Sequence, residues 1–131
     1  MADFEHARAM LRMAYKDFNA LTGMLDNALF ADEIFGFHVQ QAVEKTSKAW
    51  LCAYDVAYPP THDLARLLTL LERAGADVEQ FWPLVQFTIF AVQARYEEGL
   101  ADLEEPLERA IDIENVRALF VIVEKALARN T

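Results

Sequence analysis

Apolar residues recur at three- and four-residue steps along almost the whole chain, the spacing of helices that bury one face. On that period a first helix begins at Asp3, a favourable N-cap, and runs to about Leu25, with Gly23 weakening its end. A second spans Asp32 to about Tyr54. The connection Asp55-Val56-Ala57-Tyr58-Pro59-Pro60 cannot continue it, because proline lacks an amide donor and forces the preceding residue into extended geometry. Thr61 is then expected to cap a third helix, with Asp63 in its positive first turn and Gly75 as a left-handed terminator. A fourth is expected from Glu79 to Tyr96, with Pro83 tolerated in its first turn, and a last from Asp112 to Arg129. Between them Glu97 to Glu105, with Gly99 and Pro106 nearby, reads as an acidic loop with some residual helix. No stretch alternates with the two-residue period of a strand. The expected fold is all-α, an up-and-down bundle of four to five helices forming a single domain over residues 1–131.

The second helix separates by angle at roughly 100° per residue. Phe35, Val39, Ala42, Val43, Thr46, Ala49, Trp50 and Ala53 fall in one arc, the expected core face. His38, Gln41, Lys45 and Lys48 fall together on the other side, interrupted by Ile34, Phe37 and Leu51. A polar strip broken by apolar residues meets a helix, a subunit or a ligand. Lysines there would offer point charges to phosphate, Gln41 could read a base edge or carbonyl, and His38 could donate or accept near neutral pH. The competing reading is a solvated face with Glu44 and Lys48 paired at helical spacing.

Composition narrows the classes. A length of 131 residues suits one domain with a real core, and 54% hydrophobic residues exclude disorder. With 12 Lys and Arg against 21 Asp and Glu, the formal charge of -9 repels nucleic acid and anionic membranes unless a local basic patch intervenes. One cysteine, Cys52, allows no intrachain disulfide and no cysteine-rich metal knot. The start Met1-Ala2-Asp3-Phe4-Glu5 has neither the basic nor the apolar region of a signal peptide, and Phe81 to Val92 is too short to span a bilayer. A cytoplasmic protein without a cofactor is expected.

Further polar residues carry two readings each. His62, at the start of the third helix, either packs on the preceding proline or bonds a nearby carbonyl, or else takes part in binding. His38 and His62 lack a third ligand at suitable spacing, so no metal site is expected, and no glycine-rich phosphate loop or Ser/His/Asp set is present. Arg8, Arg12 and Lys16 stand four residues apart on the first helix, with Glu5 in reach of Arg8. That ridge is either solvated or a docking face for an acidic partner.

Three segments together carry a family likeness: Phe37-His38-Val39-Gln40-Gln41-Ala42-Val43-Glu44-Lys45 with Lys48-Ala49, then Thr61-His62-Asp63-Leu64, then Ala94-Arg95-Tyr96. In that order and spacing the chain resembles the HEPN family of small helical domains. The resemblance implies a helical bundle that forms homodimers and is often encoded beside a minimal nucleotidyltransferase, in systems that include toxin–antitoxin pairs. It also implies a likeness to the substrate-side half of aminoglycoside nucleotidyltransferases. Many members are metal-independent ribonucleases with an arginine followed four to six residues later by histidine. Here Arg95 is followed by Tyr96-Glu97-Glu98-Gly99-Leu100-Ala101-Asp102, with no histidine in that window. The expected proton-transfer group is missing, and the carboxylates beyond it would repel RNA phosphate.

Three functions follow. The first is a non-catalytic binding module, a dimeric partner of a nucleotidyltransferase, that holds nucleotide or substrate with His38, Gln41, Lys45, Lys48, His62 and Arg95. The second is a ribonuclease in which His38 or His62 works with Arg95. The third is a purely structural interaction protein. Self-association into a homodimer or larger is expected from the interrupted polar face and from aromatic residues around Phe81 and Trp82 that one small core would leave exposed.

Overall fold

The computed structural model describes residues 2–26, 28–91 and 107–129, which form four α-helices and one 3₁₀ helix with no strand among them. They are α1 (Phe4–Thr22), α2 (Asp32–Ala53), α3 (Leu64–Arg73), the 3₁₀ helix (Glu79–Phe90) and α4 (Arg109–Ala128). The all-α bundle expected from periodicity is the fold observed. Arg95, Tyr96 and the acidic stretch from Glu97 to Glu105 lie outside the described residues. No described helix is long and apolar enough to cross a membrane.

The ends of the helices follow local chemistry. Asp3 caps α1, its carboxylate accepting the His6 amide at 3.0 Å. α3 is capped by Asp63 rather than by Thr61. The Asp63 carboxylate accepts the amides of Ala65 and Arg66, while the Thr61 hydroxyl accepts the Asp63 amide at 3.1 Å. A carboxylate at the cap also gains from the helix dipole, which explains why it displaces the hydroxyl. α2 and α3 both close with paired reverse bonds. The amide of Ala76 reaches Leu71 O with Gly75 at φ 105°, and that of Val56 reaches Leu51 O with Asp55 at φ 57°. α4 begins at Arg109, three residues before the expected Asp112, so that Asp112 lies buried in its first turn.

α2 is the central element and packs against all four of the others. α1 runs antiparallel to it, since Asp17 meets both His38 and Lys45 while His6 near the start of α1 meets Tyr58 beyond the end of α2. α4 runs antiparallel to α1: Arg109 reaches Met24 O and Phe120 stacks near Tyr15 and Phe18. Being surrounded, α2 buries Gln40, Glu44, Ser47 and Lys48 as well as its apolar arc. Leu51, assigned to the polar side by angle, is fully buried, whereas Ile34 is half exposed.

The fourth helix departs most from expectation. It starts at Glu79, but winds as a 3₁₀ helix to Phe90 with Pro83 inside it. Phe81, Leu84, Phe87 and Phe90 are its buried residues, each three positions after the last. Three residues per turn stack such a row on one face, where an α-helix would rotate it progressively away. The row packs along α2, with the Phe81 ring edge-on to Trp50 and Phe90 over Gly36, where a Cβ would run into the ring. Phe81 is thus fully buried and Trp82 half-buried, so these aromatics are not the exposed surface expected of them.

Two buried polar residues hold the start of α4. The Arg109 guanidinium donates to Met24 O at 2.7 Å, Phe30 O at 2.6 Å and Asp32 Oδ1 at 2.9 Å, and lies 4.9 Å from the centre of the Phe35 ring. Asp112 is 7% exposed, and its Oδ2 has no hydrogen-bond partner among the described residues. Burial pushes its pKa from 3.8 to about 6, against a hydrogen bond from the Glu108 backbone and with the Glu108 charge adding to the rise. A carboxyl with a raised folded pKa contributes most stability below about pH 4 and loses it as pH climbs through 6. Asp112→Asn is therefore expected to be more stable than the native chain at pH 7, by up to roughly 2–3 kcal/mol, and equal to it near pH 4. Urea denaturation at the two pH values reads the difference directly.

Candidate functional site

The buried row Gln40, Glu44 and Lys48, at four-residue steps on α2, organises the polar chemistry. Glu44 is its hub. One carboxylate oxygen accepts Gln40 Nε2 at 2.8 Å and His62 Nδ1 at 2.7 Å, and the other accepts Lys48 Nζ at 3.0 Å. Burial alone would raise the Glu44 pKa, but the hydrogen bonds from Gln40, His62 and Lys48 outweigh it and hold the group below its ordinary value. The ionised carboxylate can only accept, so the His62 proton sits on Nδ1 and Nε2 takes no part in that bond. The His62 side chain is 57% exposed, against 9% for Glu44.

Supporting contacts fix this hub. Gln40 Nε2 also reaches His62 O at 3.2 Å, tying α2 to the residue before the α3 cap, and Gln41 Nε2 donates to Gln40 Oε1 at 2.7 Å. Lys48 Nζ lies 5.2 Å from the centre of the Tyr58 ring, whose hydroxyl meets His6 Nε2 at 2.6 Å. Burial and then the neighbouring Cys52 raise the Tyr58 pKa, while burial and then Asp3 raise that of Cys52, so both stay protonated near neutrality.

A second cluster lies further toward the start of α2. Asp17 of α1 accepts His38 Nδ1 at 3.0 Å on one oxygen and Lys45 Nζ at 2.7 Å on the other. The strip read from sequence therefore divides. His38 and Lys45 share Asp17, Lys48 and His62 share Glu44, and Gln41 joins the second group through Gln40. Arg95 lies outside the described residues.

Both lysines arrive with a carboxylate, and neither is an uncompensated cation. The Glu44–Lys48 pair foreseen for a solvated face exists, but it is buried. His62 bonds a carboxylate instead of a carbonyl, which orients the ring. The arrangement suits presentation of one imidazole nitrogen to an acceptor or donor outside. It does not collect a metal: no group of three His, Cys, Asp or Glu among the described residues is placed to hold one.

Gln40, Asp17 and Tyr58 escape the reading by angle. Gln40 carries a local signal, the four-residue ladder to Glu44 and Lys48. Asp17 and Tyr58 carry none, because their contacts join distant parts of the chain.

A model of the family described as the HEPN domain matches residues 7–126. No curated protein and no solved structure matches the sequence.

Proposed function

Because the chain belongs to the HEPN domain family, we propose that it is a non-catalytic HEPN-type binding module, a dimeric partner of a minimal nucleotidyltransferase in a toxin–antitoxin-type pair, that holds a nucleotide or the partner's substrate. The observation that carries this reading is His62, more than half exposed and braced at Nδ1 by the buried, ionised Glu44. Such a ring donates to a phosphate oxygen once protonated, with Glu44 compensating the added charge. His38 and Lys45, held by Asp17, offer a second polar contact on the same helix. The absence of histidine in the window after Arg95 argues for binding over cleavage.

One charge-assisted contact is worth about 1.5–3 kcal/mol, so His62→Ala is expected to weaken ATP binding roughly tenfold or more. Calorimetric titration of ATP into the purified chain, alone and with a candidate minimal nucleotidyltransferase, reads that change. No heat from the native protein in either setting would remove the binding reading. The His62–Glu44 pair also favours a second reading, a ribonuclease with a displaced histidine. Metal-free cleavage of single-stranded RNA, lost in His62→Ala, would put that reading first.

A further inference from the structure

Between α1 and α4 runs an open groove of about 790 Å³ that shares no residue with the polar clusters of α2. Its floor is apolar: Leu11 and Tyr15 from α1, Phe120 and Leu127 from α4. Tyr15 and Phe120 lie ring to ring at 5.4 Å, and Tyr15 is 47% exposed. Arg8, Arg12 and Lys16 form one wall, and Glu124 stands on the α4 side.

Several cations elsewhere in the protein are held in ion pairs. Lys45, Lys48, Arg109 and Arg117 each hold a carboxylate. Arg12 and Lys16 pair with none among the described residues, and Arg8 lies over the Phe4 ring, 5.8 Å from its centre, instead of pairing with Glu5. On a chain of formal charge -9, three cations in a row with no carboxylate partner among the described residues are a local reversal of sign beside an apolar trough.

The geometry points to a docking groove for an acidic amphipathic helix of a partner protein. The wall from Arg8 to Lys16 extends roughly 12 Å, a little over two helical turns. A helix laid there would place apolar residues at three- and four-residue steps on the floor and carboxylates at four-residue steps along the α1 wall. Charge complementarity selects this occupant. Glu124 on the facing wall would repel phosphate, which disfavours nucleic acid and an anionic lipid surface, whereas a helix can carry its carboxylates on one flank alone. A second copy docked face to face would set cation against cation.

The test uses a labelled peptide helix with leucines on one face and glutamates along one flank. Its lysine-flanked counterpart, phosphatidylserine vesicles and single-stranded RNA serve as the other arms. The glutamate peptide is expected to bind saturably, to shift amide resonances in α1 and α4, and to bind at least tenfold more weakly to Arg12→Glu/Lys16→Glu. That double variant is expected to prefer the lysine peptide, and both substitutions are at exposed positions that leave the core intact. Tyr15→Glu, which charges the exposed part of the floor, should weaken both peptides. Absence of shifts in α1 and α4 at millimolar peptide, equal binding of the two peptides to the native chain, or binding of vesicles or RNA in preference to the glutamate peptide would overturn the proposal.

Discussion

Glu44→Ala is expected to lower the stability of the fold by about 3–5 kcal/mol, a large share of the roughly 5–15 kcal/mol that holds a typical domain together. The loss comes from what stays behind. Lys48 would remain buried at 8% exposure without its counter-charge, and Gln40 would lose the acceptor at 2.8 Å. Replacing both members of the pair tests the cause: Glu44→Leu with Lys48→Met should recover much of the stability, because apolar side chains of similar volume leave no charge to compensate. Denaturation curves of the three proteins decide it. A loss below about 1 kcal/mol in Glu44→Ala would mean that water reaches Lys48. The pH dependence has a definite sign. The folded Glu44 pKa lies below the ordinary 4.5, so its contribution is complete above that value and fades as pH falls through the folded one.

Arg109→Ala should cost a similar amount, about 3–5 kcal/mol, for a different reason. Its guanidinium satisfies Met24 O and Phe30 O at the two ends of the α1–α2 connection, and it spans to Asp32 on α2. Lysine cannot replace it, because one ammonium does not reach three acceptors held in a planar fork, so Arg109→Lys should recover less than half of the loss. Asp32 itself is 54% exposed, and Asp32→Ala should cost no more than about 1 kcal/mol. Amide exchange over residues 24–32 should quicken in Arg109→Ala before the rest of the fold is affected. Unchanged exchange there would show that the connection does not depend on Arg109.

Periodicity made most of the fold legible. The starts of α1 and α2, the stop at Gly75 and the core arc of α2 each follow from spacing and cap chemistry that act within a few residues. The misassigned features depend on three dimensions. Angle on one helix could not show that α2 is packed on all sides, which is why Leu51 and Lys48 are buried on what looked like an outer strip. Pro83 is acceptable in the first turn of an α-helix and in a 3₁₀ helix alike, so it could not distinguish them. The phenylalanine row at three-residue steps could have, because from Phe81 to Phe90 a period of three and one of 3.6 diverge by about half a turn.

The site divides along the same line. His38, Gln41, Lys45, Lys48 and His62 were visible as types with chemistry to offer. What each does depends on the carboxylate it meets, and the contacts with Asp17 and with His62 across to Glu44 join residues many positions apart. Arg109 gave no signal at all: one arginine before an amphipathic run looks like any solvated charge.

The 3₁₀ winding of Glu79–Phe90 also sets a length. Twelve residues rise about 24 Å at the 3₁₀ pitch and about 18 Å as an α-helix, so the same span of chain reaches roughly one α-turn farther along the bundle. The segment acts as a spacer whose extent is encoded in its pitch. Substitutions that let it relax into α form would draw its ends together by about a quarter and leave either Phe81 short of Trp50 or Phe90 short of Gly36. A deletion and a change of helix type would thus have the same mechanical outcome, although only one of them alters the number of residues.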